Sequence, residues 1–241
     1  MLFVNADDIG WNKETTDRIL TCYIRKSIHS ASAMTFMADS ERAADLVNEN
    51  QLPVGLHLNL DEKITGSQVP VKLREHHRVT SDYLNAKKWN QVIYNPFLHN
   101  SFEYVFRSQW DEFYRIYGQE PKRLDGHHHM HLCMNMLVSG KYPKGLKVRR
   151  NFSFRPGEKG PFNRFYRYMI DLWLTSRFQC TDHFFSIAPI NDGKLRRLVS
   201  MSSSSDVELM VHPGVENECS FLLSPKWESL MSDDNLKPVS S

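Results

Sequence analysis

The chain opens with MLFVNADDIG, residues 1–10, in which a short apolar run ends in two adjacent aspartates. Short apolar runs that contain β-branched or aromatic residues, and that end at polar or Gly/Pro breaks, are typical of strands. Six further runs of this kind follow. The sequence therefore predicts seven strands, at residues 2–6, 32–36, 54–60, 123–127, 146–150, 183–187 and 207–212.

Helix-like stretches separate these strands. Residues 102–117, for example, place five aromatic side chains at helical spacing. Further helices are predicted at residues 14–26, 40–50 and 163–178. Strands that alternate with helices pair in parallel through right-handed crossovers. We therefore expect an α/β fold, a distorted or incomplete (β/α) barrel of about seven parallel strands. A doubly wound open sheet is the alternative, but no glycine-rich dinucleotide turn follows the first strand.

One long connection, residues 61–101, fits poorly in either architecture. It contains polar and basic residues, including His76 and His77, and shows no clean periodicity. A connection of this length in a compact domain is usually functional. We therefore predict a single domain over residues 1–241, in which residues 61–101 form a lid-like insertion over a site.

Composition and charge exclude several classes of protein. The 241 residues carry 30 basic and 28 acidic side chains, and this net charge of +2 gives no field that would attract nucleic acid. A hydrophobic content of 41% is enough for a buried core and argues against disorder. No apolar run approaches the roughly 20 residues of a membrane span. The first residues lack the basic segment of a signal peptide, and the four cysteines have no CxxC spacing, so we expect a cytoplasmic protein.

Reactive residues collect where the predicted strands end, which is where α/β barrels place their chemistry. The first strand is followed by Asp7 and Asp8, and the third carries His57. The fourth leads into the run HHHMH, residues 127–131, and the last ends at His212. Six of the eleven histidines lie at these positions. This convergence predicts a site at the mouth of the barrel.

Each of these features also has a structural interpretation. Adjacent strand residues point to opposite faces, so one aspartate can ligate a metal while the other acts as a base, but Asp8 can equally cap a turn. In an extended strand, His127, His129 and His131 would share one face, and one ion does not need all three imidazoles. Some of them would then contact substrate. His57 and His212, each taken alone, are equally compatible with structural histidines.

Four motifs together resemble the YdjC-like (ChbG/HpnK) carbohydrate deacetylase family: NADDIG at residues 5–10, VGLH at 54–57, LDGHHHMH at 124–131 and MVHPG at 210–214. The resemblance implies a distorted barrel, related to the NodB-like polysaccharide deacetylases, that removes acetyl groups from N-acetylated sugars with a divalent metal. It implies Asp8, His57 and His127 as metal ligands, Asp7 as general base and His212 as general acid. Gly126 departs from the pattern, which usually has Ser there.

This ligand set suits a catalytic site, because one carboxylate and two imidazoles leave positions open for water and for the acetyl oxygen. The metal is expected to be Zn or Mg, and we assign substrate contacts to His129, His131 and Arg149. The predicted protein is a metal-dependent hydrolase that removes the N-acetyl group from a sugar, oligosaccharide or glycoconjugate. The alternatives are a metal-dependent phosphoester hydrolase and a non-catalytic sugar-binding module.

Residues 147–177 mix aromatic and basic side chains, among them Arg155. Aromatic faces bind sugar rings, and interleaved cations suit phosphate or an anionic membrane surface. The favoured interpretation is a helix that packs its aromatic residues inward and leaves the basic ones in water. The alternative is a substrate that bears phosphate or lipid, which would bring peripheral contact with a membrane. A homodimer is compatible with the sequence.

Overall fold

The computed structural model describes residues 1–139, 141–154 and 157–232; Arg155 and residues 233–241 lie outside the described residues. The strands are β1 Leu2–Ile9, β2 Ser30–Ala33, β3 Val54–Leu58, β4 Arg123–Gly126, β5 Lys147–Val148, β6 His183–Ser186 and β7 Val207–Val211. The helices are α1 Lys13–Ile24, α2 Ser40–Asn50, α3 Val71–Ala86, α4 His99–Tyr117, α5 Met134–Ser139, α6 Pro161–Thr175, α7 Asp192–Met201, α8 Glu216–Leu222 and α9 Pro225–Ser232.

All seven strands form one parallel sheet in the order β5-β4-β3-β2-β1-β7-β6. Each lies where the sequence predicts a strand, although β2 begins two residues earlier. The sheet curls towards closure, because the Val148 N–H donates to the Gln179 carbonyl (2.8 Å) just before β6. Within the described residues β5 and β6 do not pair with each other, so the predicted incomplete barrel is confirmed.

The two faces of the sheet differ in chemistry, since each strand turns alternate side chains to opposite faces. One set is apolar and packs in the core with the helices: Val4, Ala6, Leu56, Leu58, Leu124 and Leu209. The other set is polar and equally buried: Asn5, Asp7, Ser32, His57, Asp125 and Glu208. The curled sheet therefore encloses charged groups.

Strands β3 and β4 approach each other closely at Gly55. A Cβ atom added there would lie 2.8 Å from the carbonyl oxygen of Arg123, closer than real Cβ contacts. Two residues further along, the same register places His57 beside Asp125. The glycine thus permits the strand spacing on which that pair depends.

The four predicted helices are confirmed. The helix at residues 40–50 also begins and ends at the predicted residues. Residues 61–101 are more regular than expected, because they contain helix α3. Its buried residues recur every three or four positions, as a helix packed on one side requires: Leu73, His77, Thr80 and Leu84. The absence of periodicity inferred for this segment is therefore wrong. None of the helices in the described parts of the chain is long and apolar enough to cross a bilayer.

Burial of His77 makes the stability of the fold depend on pH. Burial lowers the pKa of His77 from an ordinary 6.5 to about 4, although Asp61 and the Asn59 backbone partly oppose this. Below pH 6.5 the unfolded chain binds a proton that the folded chain does not, so stability falls until the pH reaches about 4. We expect this histidine to cost the wild type about 3 kcal/mol across that range.

The measurement is urea unfolding of the wild type and of His77→Gln at several pH values between about 7 and 4. The free energy of unfolding of the wild type should fall more steeply with pH than that of the variant. Parallel curves would show that His77 is not the titrating group.

Candidate metal centre

Asp8, His57 and His127 converge at the carboxyl end of the sheet. Asp8 Oδ1 lies 3.2 Å from His57 Nε2 and 3.0 Å from His127 Nδ1. One potential ligand atom from each residue lies within 4.8 Å of the other two, and all three side chains are buried. Carboxylate oxygens and imidazole nitrogens are common ligands of divalent transition metals. These three residues could therefore hold such an ion.

The backbone of Asp8 turns its carboxylate into this cluster. Asp8 has a left-handed φ of 76°, which Asp tolerates better than most residues, and the pairing of β1 with β2 shifts register between Ala6 and Ile9. The strict in–out alternation of the strand is broken there. Asp7 and Asp8 therefore both reach His57, and the prediction that they point to opposite faces is wrong.

His57 is oriented by Asp125. Its Nδ1 lies 2.7 Å from Asp125 Oδ1, which leaves Nε2 directed towards Asp8. A carboxylate behind a ligating histidine fixes its ring and strengthens it as a ligand. Burial lowers the pKa of His57, but Asp125, Asp7 and Asp8 outweigh that effect and raise the pKa to about 10.

Asp7 is held by Arg149 rather than free. Arg149 Nη1 donates to Asp7 Oδ2 at 2.6 Å and Nη2 donates to Oδ1 at 2.7 Å. Asn5 Nδ2 donates a further hydrogen bond to Oδ1 at 2.8 Å. Burial raises the pKa of Asp7, but Arg149 outweighs burial and leaves the pKa below its usual value. The carboxylate is thus ionised and fixed in position.

The same guanidinium binds two more buried carboxylates. Arg149 Nη2 lies 3.0 Å from Asp125 Oδ2, and Nε donates to Glu208 Oε1 at 2.6 Å. Arg123 pairs with the same two carboxylates. With both aspartates of β1, four carboxylates face two guanidinium groups, which leaves two excess negative charges once His57 has given up its proton, as a metal ligand must. A divalent cation would balance them, as a buried site requires.

Asp7, His57 and Asp125 also bring three potential ligand atoms together. Both carboxylates of this second group already bind Arg149, whose positive charge would repel a cation. The Asp8 carboxylate contacts imidazoles instead. Burial raises the pKa of Asp8, but hydrogen bonds from His127 and His57 outweigh burial and leave the pKa below its usual value. Asp8 is therefore ionised. The first group is the better metal site.

The histidine run turns where the sequence analysis expected it to extend. Residues 127–132 form a 3₁₀ turn in which His128 and His129 have left-handed φ values of 49° and 60°. The prediction that His127, His129 and His131 share one face is therefore wrong. His127 Nε2 is buried and has no hydrogen-bond partner among the described residues, as suits a side chain that receives a further ligand.

His131 and Arg149 are too deeply buried to contact substrate. His131 Nε2 lies 2.9 Å from the Arg149 carbonyl oxygen, and burial lowers the pKa of His131 to about 4. The Arg149 side chain is itself fully buried. The prediction that these two residues contact substrate is therefore wrong. Arg149 instead holds Asp7, and His131 packs against the backbone of Arg149. A Cβ at Gly126 would lie 3.0 Å from the His131 ring, which is a steric reason for glycine there.

A cavity of about 630 Å³ opens beside the histidine run. His128 and His129 lie on its wall, and His129 packs edge-on against Phe152 at 4.5 Å between ring centroids. Two further segments line it, one with Lys88, Trp89, Gln91 and Val92 and the other with Phe162, Asn163, Tyr166 and Arg167. Of the three predicted substrate contacts, His129 lines this cavity.

His212 lies at the same level of the barrel as Asp7, because β7 pairs with β1 in a register that matches Val211 with Ala6. Its side chain is 31% exposed, so it can be reached from solvent. Its backbone N–H donates to Glu218 Oε2 at 2.7 Å, and its Nδ1 lies 3.9 Å from the same oxygen. Burial raises the pKa of Glu218.

Several residues of the centre were missed by the sequence analysis: Asn5, Trp11, Asp125, Glu208 and Glu218. Asp125 had a readable signal, because it precedes His127 by two positions in the strand predicted at residues 123–127, which would put both on the same face. Glu208 is likewise a lone carboxylate inside an apolar strand. Trp11, whose ring lies edge-on to His127 at 5.0 Å between centroids, carried no such signal.

Comparison with known proteins identifies a family for this chain. The model of the family described as "YdjC-like protein" matches residues 1–233. A "carbohydrate deacetylase" of Danio rerio is 29% identical over 134 residues, which are 54% of this chain and 42% of the relative. A "chitooligosaccharide deacetylase" of Yersinia enterocolitica is 27% identical over 155 residues, which are 62% of this chain and 58% of the relative. The chain thus spans about half the length of these curated relatives.

A solved structure shows the same fold. A protein of Enterococcus faecalis V583, described as a cellobiose-phosphate cleavage protein, superimposes with a TM-score of 0.66. The match covers 98% of this chain and 95% of the other at 17% sequence identity. At this identity the match establishes the fold.

The buried guanidinium of Arg149 should be essential to stability. Arg149→Met would leave Asp7, Asp125 and Glu208 without their shared counter-charge, so we expect the metal-free protein to lose about 3–5 kcal/mol of unfolding free energy. Arg115→Met is the matched control, since Arg115 is 54% exposed and its ion pair with Glu112 should contribute less than about 1 kcal/mol. Equal losses in urea unfolding would contradict this account of the network.

Proposed function

The chain belongs to the YdjC-like protein family, and on that premise we propose that it is a metal-dependent hydrolase that removes the N-acetyl group from an acetylated sugar, oligosaccharide or glycoconjugate. One observation carries the proposal. Asp8, His57 and His127, far apart in the sequence, converge beside a second carboxylate, Asp7, that belongs to a different ion pair. The names of the curated relatives, both deacetylases, support the same reaction.

The residues present fit a divalent ion in donor chemistry and in charge. Asp8, His57 and His127 would hold it, and when bound it would supply Lewis acidity and a lowered pKa for water. Two imidazole donors favour zinc or a similar transition metal over magnesium, which prefers oxygen ligands. Zinc is therefore our first candidate.

Asp7 would accept the proton of the attacking water. The bidentate contact with Arg149 keeps its carboxylate ionised, which is the form that a base needs, and fixes its direction. The same contact lowers the pKa of Asp7 and so weakens it as a base. Arg149 is therefore a positioning residue in this proposal. Its positive charge is shared with Asp125 and Glu208, so it does not act on Asp7 alone.

His212 would donate a proton to the departing amine. An amide has a poor leaving group, so an acid must protonate the sugar nitrogen as the bond breaks. His212 lies level with Asp7 across the β1–β7 pair and is partly exposed, so a bound substrate can reach it. The buried Glu218 carboxylate accepts a hydrogen bond from the His212 backbone N–H and would hold this turn in place.

The substrate would enter through the cavity that His129 lines. Within the predicted lid, helix α3 packs on α4, whereas the segment that contains Trp89 forms a cavity wall. We therefore place the lid function in residues 88–92. The cytoplasmic location and the homodimer expected from the sequence stay predictions.

The first test is acetate release from N-acetylated chitooligosaccharides by the purified protein. We expect release that stops after treatment with a chelator and returns when zinc is added. Acetate release that is indifferent to the chelator would contradict the metal site. Release of phosphate from sugar phosphates without acetate release would favour the phosphoesterase alternative, and binding without turnover would favour the sugar-binding module.

Two variants separate the base from the ligands. Asp7→Asn removes the proton acceptor but no ligand, so it should bind zinc as the wild type does and lose at least about 100-fold in kcat. His57→Ala should lose zinc itself, as measured by calorimetry. His76→Ala, on the side of α3 and bonded to Ser101, is the control and should change neither. Near wild-type turnover by Asp7→Asn would show that another group is the base.

A further inference from the structure

Helix α6 turns large apolar side chains to solvent. Phe162, Phe165, Met169 and Leu172 follow one another at intervals of three or four residues, so they form one stripe along the helix. Their exposed fractions are 73%, 62%, 45% and 52%, and the adjoining Tyr168 is 61% exposed. We call these five residues the outer stripe.

The outer stripe is not the face by which α6 packs on the domain. Ile170 and Leu174 fill that role, since both are buried in the core cluster, and Trp173 packs partly against it. The interpretation that this segment packs its aromatic residues inward holds for Tyr166 and Trp173, which pack partly against the core, and is wrong for Phe162, Phe165 and Tyr168. A helix with apolar residues on both sides must have a second partner to bury the outer one.

Basic side chains outnumber acidic ones beside the outer stripe, where Glu158 is exposed just before the helix. Arg164 and Arg177 are exposed on α6 and just after it, and Lys159 is exposed just before it. Asp171, the acidic residue of α6, is buried and paired with Arg150 at 2.9 Å. The charge exposed by the helix itself is therefore basic.

The neighbouring wall of the cavity repeats the pattern. Trp89 is 66% exposed and lines the same cavity as Phe162 at the start of α6, and Lys87 and Lys88 precede it. Residues 86–98 contain no acidic side chain. Exposed aromatic and aliphatic residues with basic neighbours are thus found on two segments, and both segments line the cavity that His129 also lines.

We propose that the outer stripe of α6, with Trp89 beside it, docks the protein on the surface of an anionic lipid bilayer. The helix would lie in the interface plane with its apolar side chains among the acyl chains and its arginines at the lipid phosphates. Docking of this kind would set the mouth of the cavity at the membrane surface. The proposal concerns the surface of the protein and stands whether or not the chain is a deacetylase.

Charge decides for a bilayer over a second copy of this chain. Two copies meeting stripe to stripe would bring Arg164 and Arg177 of each against those of the other, and like charges oppose such a contact. A leaflet that contains phosphatidylserine offers negative charge and apolar depth together. Phe and Trp beside Lys and Arg are also the composition typical of interfacial helices.

The experiment is flotation of the protein with lipid vesicles. Vesicles of phosphatidylcholine alone are compared with vesicles that also contain about 30 mol% phosphatidylserine, at low and at physiological salt. The test variant is the double substitution Phe165→Glu/Leu172→Glu, which changes two residues of the stripe outside the cavity wall. The control is Ile24→Glu/Tyr114→Glu, two apolar residues with similar exposure (61% and 56%) on helices α1 and α4.

We expect the wild type and the control to float with anionic vesicles, and the test variant to bind them about tenfold less. Circular dichroism should show all three proteins equally folded, since the substituted side chains are exposed. Absence of binding to anionic vesicles by the wild type would overturn the proposal. So would a wild-type dimer that the test variant dissociates without any vesicle binding, because the stripe would then be a contact between copies.

Discussion

The site depends on the ion pairs that the buried Arg149 side chain makes with three carboxylates. Its buried guanidinium binds Asp7, Asp125 and Glu208, residues that belong to three different strands. Enclosing that many carboxylates in a sheet would be prohibitive without shared positive charge. The arginine makes a polar barrel interior possible, and it also determines which carboxylates remain for a cation. Asp8, whose backbone turns its carboxylate away from the network, contacts the imidazoles of His57 and His127.

The sequence predicted the strands because each is a short apolar run bounded by breaks, and a parallel order because helices lie between them. It also predicted where the reactive residues would meet, since the ends of parallel strands share one edge of the sheet. The inner network was less visible. Alternation such as Val4-Asn5-Ala6-Asp7 is the signature of a polar inner face, but in a parallel sheet both faces are usually apolar. The helix at residues 71–86 was missed because polar His77 and Thr80 occupy its buried face.

The histidine run shows what a pattern of residue types cannot give. The same residues have different neighbours in an extended backbone and in a turn. Left-handed φ values at two consecutive histidines are rare, so the sequence does not predict this turn. The turn places His127 beside Asp8, His129 on the wall of the cavity and His131 in the interior, against the backbone of Arg149. Three imidazoles that looked equivalent therefore have three different surroundings.

Gly55 illustrates how far from the chemistry such a centre can be disturbed. A methyl group at this position would push β3 away from the Arg123 carbonyl, and the displacement would be felt two residues later, where His57 meets Asp125. A mutational screen scored on turnover would rank position 55 with Asp8, His57 and His127, although glycine has no side chain that could take part in the chemistry. The loss of activity at position 55 would come from altered spacing between β3 and β4. A search for catalytic residues based on such a screen would therefore have to exclude this position.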